Sequence, residues 1–223
     1  MAEKPIIFNS NMVAAIMDGR KTQTRRVMKK QPVLDNNIWW YGDEPFIGDD
    51  VMIDHLFQNV VYGNGGSPYG SVYADGTADR MWVRENFQAQ SLAGKWWSEV
   101  PRDDREWQNW AWTNPVRPAY EATPPRWLPS IHMPKNACRI YLDITDVRVE
   151  RVQDMSKADA IAEGIDQLSV EQAGSNWELP DGSWTREPLV AFASLWDSIN
   201  AKRGFSWESN PFVWVVEFKQ FPA

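Results

Sequence analysis

Apolar residues recur along this chain at two spacings. Residues 10–18, SNMVAAIMD, with Gly19 after them, put Met12, Ala15, Ile16 and Gly19 on one face at helical spacing. Ser10 is the expected N-cap, and Gly19 stands where a left-handed residue ends a helix. Residues 156–164, SKADAIAEG, predict a second helix, capped by Ser156, closed by a capping-box-like pair with Asp159 and stopped by Gly164. Residues 187–204, EPLVAFASLWDSINAKRG, predict a longer amphipathic helix with Leu189, Phe192, Trp196 and Ile199 as its buried stripe. Period-two alternation marks a strand at 78–87 (ADRMWVRENF), and PFVWVVEFK at 211–219 reads as a final strand. The longest strand is expected at 138–153, CRIYLDITDVRVERVQ. There Ile140, Leu142 and Ile144 alternate, and Val147, Val149 and Val152 continue beyond a bend at Thr145–Asp146.

Between these elements the pattern breaks down. Residues 31–77 are rich in Asn, Asp, Gly and Pro and predict turns with one short strand, VMID, at 51–54. Residues 89–125 include WWSEVPRDDREWQNWAWTNP, which sets five tryptophans among charges and prolines, and residues 167–186 are polar. All three stretches read as insertions into one domain spanning 1–223. The order of elements argues against a doubly wound parallel sheet. It suits an α+β fold: a small mixed or antiparallel β-barrel with flanking helices closing one mouth.

Composition narrows the function classes. A chain of 223 residues with 43% hydrophobic and 24% charged residues is expected to be globular. No apolar run approaches the roughly 20 residues of a membrane span, and MAEKPIIFNS is too short and polar for a secretory signal. A cytoplasmic protein with no membrane partner is expected. One cysteine, Cys138, and two histidines, His55 and His132, exclude an internal disulfide and disfavour a His/Cys zinc site. No nucleotide-binding glycine motif is present, and no cofactor is expected. Thirty acids against 23 bases, net charge −7, disfavour a broad basic face for long nucleic acid. Yet residues 20–30, RKTQTRRVMKK, hold Arg20, Lys21, Arg25, Arg26, Lys29 and Lys30 without an acid. So local a positive field suits one anionic or polar ligand.

That stretch is the first chemical candidate. In extended geometry Lys21, Gln23 and Arg25 face one way and Thr22 and Thr24 the other. A turn after Gly19 would instead bring Lys21 and Thr24 together, where an ammonium stabilises an oxyanion. Cations after a helix C-terminus are also what the helix dipole favours on its own. Glu163, on the last turn of its helix, sits against that dipole and calls for a compensating cation or a function. Trp82 and Arg84 share one face of their strand, and Val83 and Glu85 the other: a pocket wall, or a structural ion pair beside a buried Trp. Trp127 and Trp214 are candidate base-stacking residues. His132 and Cys138 have no partner spacing.

Together, G-R-K-T-x-T-x-R after a first helix, the W-V-R-E strand, a long strand leading to A-x-A-E-G and a final V-W-V-V-E-F-K strand resemble an ASCH domain of the PUA-like superfamily. The likeness covers residues 4–30, 78–88, 126–166 and 187–219 and is nearest to larger phage- and prophage-encoded members. The resemblance implies a small β-barrel and an RNA-binding or RNA-modifying role. One branch hydrolyses the amide of N(4)-acetylcytidine and another is reported to cleave RNA. Carried over, the hydrolytic set falls on Lys21, Thr24 and Glu163 as catalytic residues. Glu163 would be the general base on Thr24 or water, and Lys21 the oxyanion or proton-relay group. Arg20, Thr22, Arg25, Arg26, Trp82, Arg84 and Glu85 would then line the substrate. No metal or cofactor is implied. Two other readings stand beside it: a non-catalytic module for RNA or a modified base, and a phage accessory protein that binds a host protein through the Trp-rich segment 96–112.

Overall fold

A computed structural model describes residues 2–35, 38–41, 44–46, 78–89, 96–98, 127–165 and 176–221. In chain order the strands are Glu3–Ile7 (β1), Gln23–Val27 (β2), Val33–Asp35 (β3), Ile38–Tyr41 (β4), Glu44–Phe46 (β5), Arg80–Arg84 (β6), Phe87–Ala89 (β7), Trp96–Ser98 (β8), Trp127–Leu128 (β9), Tyr141–Arg151 (β10), Trp177–Glu178 (β11), Trp184–Thr185 (β12) and Phe212–Gln220 (β13). The α-helices are Ser10–Met17 (α1), Lys157–Ala162 (α2) and Pro188–Asn200 (α3). The α+β class is therefore shown. VMID at 51–54 and most of the three expected insertions lie outside the described residues.

One five-stranded sheet, ordered β1-β6-β10-β13-β2, organises the chain. Its β1–β6 pair is parallel and the others antiparallel. The bend expected in the long strand is a register shift between Ile144 and Asp146, a local irregularity that turns the strand. Strand β13 is buried on both faces, which explains its nearly continuous apolar sequence. Phe212, Trp214, Val216 and Phe218 pack with Ile6, Met81, Leu142 and Ile144 and with Val13 and Ile16 of α1. Val213 and Val215 point the other way, against Ala160 of α2 and Ala191, Phe192 and Trp196 of α3. Helices thus cover both faces.

The sheet does not close into the barrel the sequence suggests. Its edge strands approach each other, but a side chain fills the gap in place of a strand pair: Arg26 of β2 donates from Nη2 to the Ile7 carbonyl of β1 at 2.7 Å. The same guanidinium lies 5.2 Å from the Phe8 ring centroid.

Two local expectations are corrected. Asn9, not Ser10, caps α1: its backbone is extended, and its Oδ1 accepts from the Met12 N–H at 2.8 Å. In α3 Ile199 is exposed, while Asn200 takes the buried position and donates its amide to the Trp196 carbonyl at 3.3 Å. The buried stripe is Pro188, Ala191, Phe192, Trp196 and Asn200, one residue off the apolar reading at its C-terminal end. The capping box of α2 forms as expected, between Ser156 and Asp159.

Candidate functional site

The loop between α1 and β2 is fixed at each residue. The N–H groups of Arg20 and Lys21 both donate to the Ala15 carbonyl at 2.9 Å. Thr22 donates to Ala162 at the end of α2, and its carbonyl accepts from Phe218 of β13. These bonds turn the Lys21 side chain inward against the C-terminus of α2.

Lys21 is among the most buried side chains described, at 2% exposure. Its Nζ donates to the Gln23 carbonyl at 2.8 Å, the Glu163 carbonyl at 2.7 Å and Glu163 Oε2 at 2.8 Å. An ammonium has three N–H donors, and all three are used. Burial pushes Lys21 below its ordinary pKa. The Glu163 carboxylate opposes that shift, while Arg26 and Arg25 reinforce it.

Glu163 caps the C-terminus of α2, and the compensation its position calls for is supplied twice. Lys21 takes Oε2, and Arg25 Nη1 donates to Oε1 at 3.2 Å. Gly164 follows with φ +79°, and a Cβ there would stand 2.7 Å from the Cβ of Lys21. Glycine is required both by the left-handed backbone and by the packed lysine stem. The A-E-G sequence therefore builds one side of the Lys21 chamber.

Arg25 leads outward into a larger charge network. Its Nε and Nη2 donate to Glu150 Oε1 at 2.9 and 2.5 Å, and Asp159 lies 3.7 Å away. Gln23 donates its amide to the carbonyl and carboxylate of Asp159 at 2.8 and 3.1 Å. Beyond them Arg148 meets Asp146, Glu150, Asp159 and Glu217. Buried charges survive in a core only when paired in this way.

The structure brings Lys21 and Glu163 together at 2.8 Å. Thr24 pairs with Val216 in β13 and shares its face, opposite that of Gln23 and Arg25. Among the described residues no hydrogen bond joins Thr24 to Lys21 or Glu163. Arg20 is exposed beside Asp18 at 3.3 Å, and the Thr22 side chain is exposed.

Trp82, Arg84 and Glu85 form a separate group. Trp82 is buried, with the Arg84 guanidinium 5.3 Å from its ring centroid. Arg84 donates to the carbonyls of Met133 and Ile131. Glu85 is buried against Arg139, with bonds of 2.7 and 2.9 Å. Their described partners tie β6 to the 130–139 segment. Trp214 is buried in the core, where it offers no stacking face. The side chain of Trp127 and nearly all of 96–112 lie outside the described residues. His132 is exposed. Burial pushes the Cys138 thiol up, away from thiolate chemistry.

Sequence reading missed Gln23, Arg148, Glu150 and Asp159 as members of this cluster. One signal was available: Asp146, Arg148 and Glu150 alternate with Val147 and Val149, marking a charged strand face. A cleft of about 250 Å³ reaches Gly164 between α1, the β11–β12 hairpin and α3, with Asn9, Asn11, Glu178 and Leu195 in its walls. Among the described residues, no group of three or more His, Cys, Asp and Glu is arranged to hold a metal, and no helix is long and apolar enough to cross a membrane.

Comparison with known proteins gives no match among protein-family models, curated proteins or solved structures.

Proposed function

We propose that this chain is an ASCH-like, metal-free amidohydrolase acting on a modified nucleoside of the N(4)-acetylcytidine kind. One observation carries the reading. Lys21 and Glu163, 142 residues apart in sequence, meet at 2.8 Å in the buried interior. A carboxylate and an ammonium in contact supply a base and an acid to one reacting amide.

In this mechanism Glu163 takes a proton from water as the oxygen attacks the acetyl carbonyl. Lys21 faces the developing oxyanion. The carbon–nitrogen bond then breaks, Lys21 passes its proton to the departing amine, and acetate and cytidine result. Transfer of a proton from Glu163 back to Lys21 restores the site. Substrate has to displace one of the three acceptors of Lys21. Water serves as the nucleophile here, because no hydrogen bond joins Thr24 to Lys21 or Glu163 among the described residues. The test is incubation of the purified protein with N(4)-acetylcytidine, following cytidine by chromatography, with Lys21→Ala as control. Turnover by the wild-type protein that Lys21→Ala abolishes is expected; no turnover at high enzyme concentration overturns the reading.

A second reading, a non-catalytic module for RNA or a modified base, draws on two features of the same site. Every Lys21 donor already ends on a protein acceptor, and Thr24 makes no hydrogen bond to the pair among the described residues. Binding of cytidine and N(4)-acetylcytidine with equal affinity and no hydrolysis would favour it.

A further inference from the structure

Arg25 stands opposite an apolar residue of the central sheet. Its cross-strand partner is Val215, which is fully buried, and its own side chain has 0% exposure. A cation so placed is tolerated only through its partners, so the partners define what it does. Nε and Nη2 are anchored on Glu150, Nη1 reaches Glu163 Oε1, and Asp159 stands 3.7 Å away. The other oxygen of Glu163 belongs to Lys21. The two oxygens of one carboxylate are thus committed to two different cations.

We propose that Arg25 is a positioning residue, sharing the Glu163 carboxylate with Lys21 so that the ammonium can give up its proton to a leaving group. This rests on the hydrolytic reading above. Without Arg25 both oxygens of Glu163 could turn to Lys21 and hold its proton more tightly. The positive charge of Arg25 acts on Lys21 in the same direction as burial. The groups facing Lys21 are Glu163 at the end of α2, Arg25 and Arg26 on β2, and the Phe8 ring, 5.5 Å from Nζ. Those facing Arg25 are Glu150 on β10 and Asp159 and Glu163 on α2, with Arg148 behind Glu150 and Asp159. The sequence suggested that Arg25 touches substrate. Here its three nitrogens are directed at protein carboxylates.

The experiment uses the full-length protein labelled with ¹⁵N-lysine. Titration of Lys21 Nζ by NMR is measured beside the pH profile of N(4)-acetylcytidine turnover, for wild type, R25K and R25Q/E150Q. The double variant removes the guanidinium together with the acid it is anchored on. Losing the acid Glu150 would at most lower the Lys21 titration, opposite to the effect sought. In R25Q/E150Q, Lys21 is expected to titrate measurably higher than in wild type. The alkaline limb of the rate profile moves with it, kcat falls and KM stays. R25K, which keeps the charge, restores both readouts. If R25Q/E150Q does not fold, the apolar pair R25M/E150L carries the same measurement. An unmoved Lys21 titration in a folded variant overturns the proposal, as does a raised KM with unchanged kcat, the mark of a substrate contact. A moved titration in a protein without wild-type turnover supports the coupling of Arg25 to Lys21 and removes the hydrolytic reading.

Discussion

Lys21 ties the stability of this fold to the chemistry proposed for it. Removing one member of a buried pair weakens the compensation of the other charge, and without Lys21 the Glu163 carboxylate keeps only Arg25. Lys21→Met is therefore expected to cost about 3–5 kcal/mol in urea denaturation, and Lys21→Met with Glu163→Met to recover most of that loss. A double variant as unstable as the single one would contradict the pairing. Gly164 and Gly19 make a controlled comparison. Both have positive φ, but a Cβ at Gly19 meets nothing within 4 Å, whereas one at Gly164 runs into Lys21 and Ala15. Gly19→Ala is expected to cost about 1 kcal/mol, the backbone penalty alone. Gly164→Ala should cost clearly more and disturb the Lys21 titration. Thr24→Val is a sharper residue test of mechanism. With water as nucleophile, turnover stays within about tenfold of wild type; a loss of the full general acid–base factor, about 10²–10⁴, would make Thr24 the nucleophile.

The short helix α2 is held by charge at its start as well as its end. Burial raises the Asp159 carboxyl, but its bonds to Ser156 and Gln23 and the nearby Arg25 outweigh burial and hold it below its ordinary 3.8. A depressed carboxylate pKa stabilises the fold above the unfolded value and loses that contribution as pH falls through the folded value. Wild type should therefore lose more thermal stability than Asp159→Asn between pH 5 and pH 2; parallel curves would contradict the assignment. This helix was legible in the sequence because its signals are local: Ser156, Asp159 and Gly164 lie within nine positions. Strand β10 was legible from its alternation and β13 from its short apolar run, for the same reason. Asn9 was missed because the capping residue stands one position before the serine that fits the pattern equally well. Ile199 was misplaced because Asn200 satisfies its amide within the helix. What could not be read was pairing across the chain. The parallel β1–β6 register and the open edge bridged by Arg26 join segments far apart in sequence. For the site, Lys21 and Glu163 were placed through the likeness to a known domain. The role of Arg25 escaped because its acid, Glu150, lies 125 residues away.

Over the whole molecule, the basic stretch at 20–30 is divided between cations turned onto the protein and cations left exposed. Lys21 and Arg25 end on buried carboxylates and Arg26 reaches across to β1; among the described residues Arg20, Lys29 and Lys30 are exposed. With a net charge of −7, this stretch offers little to a phosphate backbone. Unstructured RNA is expected to bind with a dissociation constant no tighter than about 10⁻⁴ M at physiological salt, at the weak end of non-specific binding. Affinity in the micromolar range with a steep salt slope would point to a basic face elsewhere and to the binding reading. The pair at the centre of the fold is tested by turnover itself. Cytidine release from N(4)-acetylcytidine is measured for wild type and Glu163→Gln at equal folded concentration. Release by wild type, slowed about 10²–10⁴-fold in Glu163→Gln, is the expected result. Equal rates in the two proteins, or no release by either, would contradict a catalytic Lys21–Glu163 pair.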